Sequence, residues 1–182
     1  MKRYILTGAP GAGKTAILRQ LEVDGFSVVE EAATDVIALR QAKGIAEPWT
    51  DPEFLAAVVQ LQQGREGRAT RDPDPVQFHD RSAFCTAALT DYLGFPRPSC
   101  LLQELKRLQE QRVFEQRVFF VRNLGFVVPT DARRISYEET LHFEKIHEQT
   151  YREFGFEIVP ITSASVANRV REVKRLLSLD QT

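Results

Sequence analysis

Between the apolar run Tyr4-Ile5-Leu6-Thr7 and the apolar stripe Ile17, Leu18 and Leu21 lies Gly8-Ala9-Pro10-Gly11-Ala12-Gly13-Lys14-Thr15, which matches the pattern G-x-x-x-x-G-K-[ST]. A short β-prone run before the glycines and a helical stripe after them is the context the pattern requires. Glycines allow the chain to wind so tightly that successive backbone N–H groups point inward, and a helix starting at the end of the turn adds the positive end of its dipole. Such a turn suits the phosphates of ATP or GTP. The expected nucleotide contacts are Gly8 through Thr15 together with Ala16, with Lys14 reaching the β and γ phosphates and the Thr15 hydroxyl binding Mg²⁺.

The rest of the chain continues the same rhythm. Phe26 to Val29 predicts a second strand after Gly25, and Glu30 to Ala42 a helix. Asp51-Pro52-Glu53 predicts a helix start with Asp51 as N-cap, and that helix carries Phe54, Leu55, Val58, Val59 and Leu61. Gly64 to Pro75, dense in Gly, Arg, Asp and Pro, predicts an exposed, mobile loop. Val76 to His79 predicts a third, weaker strand; Ala83 to Leu93 and Leu101 to Gln109 predict helices, and Arg117 to Val121 a fourth strand. Asn123 to Ser136 predicts a loop, Tyr137 to Phe154 a long polar helix, Glu157 to Ile161 a fifth strand and Ser165 to Leu179 a closing amphipathic helix. Strands alternating with helices predict an α/β fold. With 182 residues and no internal repeat or linker, one domain over residues 1–182 is expected.

Composition narrows the function classes. A formal net charge of -1 supplies no global positive field for nucleic acid or anionic lipid, so nucleic acid is not an expected partner. The apolar stretch after Met1-Lys2-Arg3 is too short for a signal peptide and no run reaches the length of a membrane span, so a cytoplasmic location is expected. Cys85 and Cys100, the two cysteines, read as reduced core residues. His79, His142 and His147 show no metal-binding spacing and read as structural or solvated.

Several polar residues are candidates for chemistry. Asp80 ends the third strand, where a carboxylate orients the water ligands of Mg²⁺ opposite Thr15; the alternative is that it caps the helix that follows. Arg81 stands where hydrolysing ATPases place a water-activating glutamate, and its fixed donors suit phosphate oxygens, unless it forms only a surface ion pair. Glu30 and Glu31 follow the second strand, and in open α/β sheets ligands bind beyond the carboxyl ends of strands. Either could take a proton from an acceptor hydroxyl, Glu31 by preference, or both could simply supply favourable charge to a helix N-terminus. Arg133 and Arg134 sit in a loop that could act as a lid, over about residues 123–137, and offset charge in the transition state, or be solvated. Thr162-Ser163-Ala164-Ser165 could line a base pocket or cap the last helix.

With the phosphate turn, Glu30-Glu31, Asp80-Arg81-Ser82 and Arg133-Arg134 in this order, the chain resembles the small P-loop kinases, such as deoxynucleoside, thymidylate and ribosylnicotinamide kinases. More narrowly it resembles compact AAA domain proteins of kinase-like layout, in which Glu-Glu-Ala-Ala after the second strand and Asp-Arg after the third recur. The resemblance implies a five-stranded parallel sheet in the order 2-3-1-4-5, helices on both faces and a lid before the fifth strand. It also implies a carboxylate base at Glu31 and the Asp80-Arg81 pair at the phosphates. The expectation is a Mg-ATP-dependent phosphotransferase acting on a nucleoside, nucleotide or related metabolite. The alternative is a nucleotide-switched interaction protein or slow NTPase without an acceptor. No Asn-Lys-x-Asp guanine motif occurs, although Thr162-Ser163-Ala164 faintly echoes its companion loop.

Overall fold

The computed structural model describes residues 1–69, 74–126 and 135–179. Its strands are β1 (Lys2–Thr7), β2 (Ser27–Val29), β3 (Val76–Asp80), β4 (Arg117–Val121) and β5 (Glu157–Ile161). They form one sheet in the order β2-β3-β1-β4-β5, every pair parallel. The helices are α1 (Lys14–Val23), α2 (Ala33–Ala42), α3 (Glu53–Ala69), α4 (Ala83–Leu93), α5 (Ser99–Glu110), α6 (Tyr137–Glu153) and α7 (Val166–Leu179), with a 3-10 turn at Pro48–Thr50.

Alternate residues of the central strands feed two cores, because successive side chains of a strand leave opposite faces of a sheet. Tyr4, Leu6, Phe78, Phe119 and Val121 pack with Ile17, Leu18 and Leu21 of α1 and Val170, Val173 and Leu177 of α7. Ile5 and Val118 face the other way, onto Phe84 and Ala87 of α4, Leu101 and Leu105 of α5 and Tyr151 of α6. A third cluster, Val36 and Ile37 of α2 with Phe54, Leu55 and Val58 of α3, lies beside the β2 edge. Pro160 falls in β5, which pairs only with β4, so its missing N–H costs no ladder bond.

Two expectations need correction. The stretch predicted as a loop from Gly64 is helical to Ala69, since α3 runs on through Gly64 and Gly67. Burial of Phe54, Leu55, Val58 and Val59 anchors the helix, and Arg65 and Glu66 pair with Asp35, Arg107 and Arg3 to hold its last turns, which outweighs a glycine cost of roughly 1 kcal/mol each. The third strand is not weak either: all of Val76 to Asp80 is buried, between β2 and β1. Gln77 and His79 are satisfied by each other and by groups on other segments. Gln77 Nε2 donates to Ser27 Oγ at 3.0 Å and to the Ala69 carbonyl at 3.1 Å, while its Oε1 accepts from His79 Nε2 at 2.8 Å. Periodicity cannot register such a pairing, because the partners lie on other elements.

Candidate active site

The order of the strands places the glycine-rich turn. Connections run one way from β1 to β3 and β2 and the other way to β4 and β5, so the end of β1 is the switch point where such sheets bind ligands. Leu6 pairs with Asp80 and Thr7 with Phe120, which sets the turn between the exits of β3 and β4. Gly8 has φ 129°, and a Cβ there would lie 2.2 Å from the Val121 carbonyl oxygen, so no other residue fits. Gly13 (φ 85°) forms the N-cap of α1. Ala9 and Ala12 are fully buried, while Thr15 and Ala16 are exposed on the first turn of α1.

Lys14 is buried, and its Nζ donates to the carbonyls of Gly8 at 3.0 Å and Ala9 at 2.8 Å. Burial, and then the nearby Arg81 guanidinium, lower its pKa to about 7. Thr15 Oγ1 donates to Asp80 Oδ2 at 3.3 Å. The other Asp80 oxygen, Oδ1, is buried without a hydrogen-bond partner among the described residues. Burial raises the Asp80 pKa despite the pull of Lys14 and Arg81. An orphaned carboxylate oxygen beside a threonine hydroxyl is a donor set that suits a hard divalent cation, so Thr15 and Asp80 fit Mg²⁺.

Arg81 directly follows β3 with φ 70°, in the left-handed region that a residue with a Cβ occupies at a cost of about 1 kcal/mol. Its N–H donates to the Leu6 carbonyl at 3.0 Å, which ties the strained residue to β1. Its NH1 lies 3.1 Å from His147 Nε2, and its Nε 3.9 Å from Glu31 Oε1. His147 Nδ1 lies 3.0 Å from the Phe143 carbonyl, which can only accept, so the proton is on Nδ1 and Nε2 accepts from Arg81. Burial and the Arg81 charge push the His147 pKa well below its usual value, and the ring is neutral.

Glu31 Oε1 accepts from the N–H of Ala33 and Oε2 from that of Thr34, both at 2.8 Å, so the carboxylate caps α2 while facing Arg81. Glu30 points elsewhere and forms an exposed ion pair with Arg19. Of the two, it is Glu31 that faces Arg81. Arg65 of α3 donates to the carbonyls of Glu30 and Glu31 and clamps this corner. Arg133 and Arg134 lie outside the described residues, as does most of the expected lid. Of its flanks, Asn123 is held by Glu144 and Tyr137, and Ser136 forms a capping box with Glu139 at the start of α6. Ser165 Oγ accepts from the N–H of Asn168 at 3.3 Å, the capping role for this serine.

A cavity of ≈ 390 Å³ opens beside the phosphate turn. Charged and polar residues (Lys14, Thr15, Glu31, Asp80, Arg81, Gln62, Thr86 and Glu139) and apolar ones, several of them aromatic (Ile37, Trp49, Phe54, Leu89, Tyr92 and Phe143), line it together. The Tyr92 and Phe143 rings stand 4.5 Å apart, and Thr86 Oγ1 donates to Gln62 Oε1 at 3.0 Å. Cys85 is buried, with its sulfur 3.1 Å from Thr7 Oγ1 and 3.0 Å from the Tyr151 hydroxyl, whereas Cys100 is only partly buried.

Sequence reading missed Trp49, Gln62, Tyr92, Phe143 and His147 as site residues. They sit on helices and a short turn far along the chain, and only for His147 did a signal exist: a histidine on the same helical face as buried Phe143 and Tyr151. Arg169 was missed too; it touches the phosphate turn from α7 through the Ala12 carbonyl at 2.6 Å.

A five-stranded parallel sheet in this order, covered by helices on both faces and carrying the glycine-rich turn at its switch point, defines a P-loop protein with the fold of P-loop kinases. The model of a family described as AAA domain matches residues 3–169, and the chain belongs to that family. Solved structures with the same fold include NadR in complex with NAD and AMP-PNP, at 17% identity and a TM-score of 0.68 over 96% of this chain. NadR in complex with NR gives 18% identity and a TM-score of 0.64 over 88%. Deoxyadenosine kinase from M. mycoides with bound dCTP gives 13% identity and a TM-score of 0.64 over 98% of this chain and 99% of that one. The chain spans only 43% and 49% of the two NadR chains. No match was found among curated proteins. Among the described residues no helix is long and apolar enough to cross a membrane.

Proposed function

We propose that this protein is a kinase that transfers the γ-phosphoryl group of ATP, or of GTP, to a hydroxyl of an uncharged, ring-bearing small molecule of the nucleoside type. The observation that carries this reading is the cavity: its lining joins the charged groups beside the phosphate turn, Lys14, Asp80 and Arg81, to aromatic and apolar side chains. A hydrolase needs only room for water, whereas a volume of ≈ 390 Å³ next to Lys14 and Arg81 has room for a second substrate. Trp49, Phe54, Tyr92 and Phe143 suit a planar ring, and the Gln62 amide, oriented by Thr86, offers hydrogen bonding to a polar ring edge.

In this reading the backbone of Gly8 to Thr15 grips the donor phosphates, and Lys14 turns from the Gly8 and Ala9 carbonyls to their oxygens. Thr15 and Asp80 would hold Mg²⁺, which would neutralise charge on those oxygens when bound. Arg81, aimed by the neutral His147, donates to the oxygens of the group in transit. Glu31 accepts the proton of the acceptor hydroxyl, and the apolar part of the lining excludes competing water.

The test is a coupled assay with Mg-ATP and Mg-GTP across a panel of ribonucleosides, deoxyribonucleosides and related ring alcohols, with product identified by mass. Phosphorylation of a member of the panel is expected. Nucleotide turnover at an unchanged rate with no phosphorylated product would make the protein a hydrolase instead.

A further inference from the structure

The acceptor cavity lies on the side of the turn served by β2 and β3, since Glu31 follows β2 and Asp80 ends β3. A donor whose γ-phosphate faces that cavity must run its remaining length away from it, across the start of α1 toward the exits of β4 and β5. One side chain joins these two exits to the phosphate turn. Arg169, on the first turn of α7, is 3% exposed and spends its guanidinium on three carbonyls from three segments. NH1 donates to Ala12 in the turn at 2.6 Å, NH2 to Arg122 after β4 at 3.0 Å, and Nε to Thr162 after β5 at 3.0 Å. The fit is tight enough that a Cβ on Gly13 would lie 3.2 Å from NH1. Arg122 and Asn123 are tied onward to Glu144 of α6.

We infer that Arg169 is a positioning residue that fixes the nucleoside-side walls of the donor site, at Arg122–Asn123 and Thr162–Ser165, relative to the turn that grips the phosphates. Three separate backbone segments have no covalent reason to keep one spacing, and a planar fork with donors in fixed directions can bracket all three where a lysine, a point donor on a flexible stem, cannot. The inference rests on the nucleotide-binding reading above, but on neither the acceptor nor the transfer step.

The test compares Mg-ATP with Mg-tripolyphosphate, which has the phosphates and no nucleoside, by calorimetry on the wild type, R169K and R169M, with Tm recorded for each. A positioning role predicts that R169K and R169M lose about tenfold or more in ATP affinity but less than about threefold for tripolyphosphate, a differential of more than about threefold, or at least about 0.7 kcal/mol, between walls and turn. Methylguanidine added to R169A should restore ATP affinity without altering tripolyphosphate binding. Equal losses for both ligands, or unchanged ATP affinity, overturn the inference; should R169M fail to fold, R169K and the rescue decide it by the same criteria. A wild type that binds neither ligand would instead refute the nucleotide-binding reading itself.

Discussion

Thr15 donates its hydroxyl proton to one oxygen of Asp80 at 3.3 Å, and the other oxygen of that carboxylate is buried with no partner among the described residues. Two residues 65 positions apart thus form a half-satisfied polar pair at the mouth of the phosphate turn.

Asp80→Asn should separate stability from function. Burial raises the Asp80 pKa, so the folded protein favours the protonated acid; the penalty for ionising it is absent below the ordinary value of 3.8 and grows as pH rises through it. At pH 7 the uncharged amide removes that penalty, on the order of 1 kcal/mol, and should raise Tm by about 2–4 °C without ligand. The same change should abolish the extra thermal stabilisation that Mg²⁺ adds to ATP binding. A scanning-fluorimetry series with ATP, with and without Mg²⁺, reads both effects; a lower Tm with Mg²⁺ dependence intact contradicts the assignment.

Lys14 should link nucleotide binding to pH. With its pKa lowered to about 7, the amine is mostly neutral in the protein at pH 8, while a triphosphate requires the ammonium. Binding at pH 8 should therefore take up close to one proton, and affinity should weaken as pH rises above about 7. Calorimetry in buffers of different ionisation enthalpy measures this uptake directly. The stability term has the opposite sign: the unfolded chain holds the proton up to about pH 10.5 and the folded protein does not, so this lysine's destabilising contribution is full below pH 7 and fades as pH rises between the two values. Lys14→Ala should eliminate triphosphate binding while leaving the fold as stable or more so.

Two substitutions at Glu31 distinguish proton acceptor from helix cap. Glu31→Gln keeps an oxygen for a backbone N–H of α2 but cannot take a proton, and it should lower the transfer rate by about 10²–10⁴ with ATP affinity unchanged. Glu31→Ala loses the cap as well and should cost a further 1 kcal/mol or so of stability, seen as a drop of about 2–4 °C in Tm. Should Glu31→Gln transfer phosphate at the wild-type rate, the residue is a cap and nothing more.

Gly8→Ala should disrupt both fold and binding. The new methyl would meet the Val121 carbonyl oxygen at 2.2 Å, which is backbone of the central β4, and the φ of 129° is closed to residues with a Cβ. A loss of roughly 3 kcal/mol or more is expected in urea denaturation, together with loss of triphosphate binding. Gly67→Ala, in α3 with open space around it, should instead be neutral or slightly stabilising by a few tenths to about 1 kcal/mol.

The sequence alone determined the phosphate turn, because its chemistry depends on backbone freedom at Gly8 and Gly13 and on residues adjacent in the chain. It also determined most elements: β4 and β5 match their predicted bounds, since local β-propensity and spacing depend on neighbours a few positions away. The Asp80 position followed from its place at a strand end, and the 2-3-1-4-5 order was legible only through the resemblance to P-loop kinases, not from periodicity. What the tertiary structure alone decided depends on partners distant in sequence. Burial of polar β3 rests on Ser27 and Ala69, and the placing of Glu31 toward Arg81, with Glu30 paired to Arg19, on the turn into α2. The neutral His147 behind Arg81, the Arg169 clamp and the aromatic part of the cavity lining are assembled from helices whose own patterns specify only which face is buried. A single sequence encodes local preference directly, but it encodes which buried groups meet only through the packing of the whole chain.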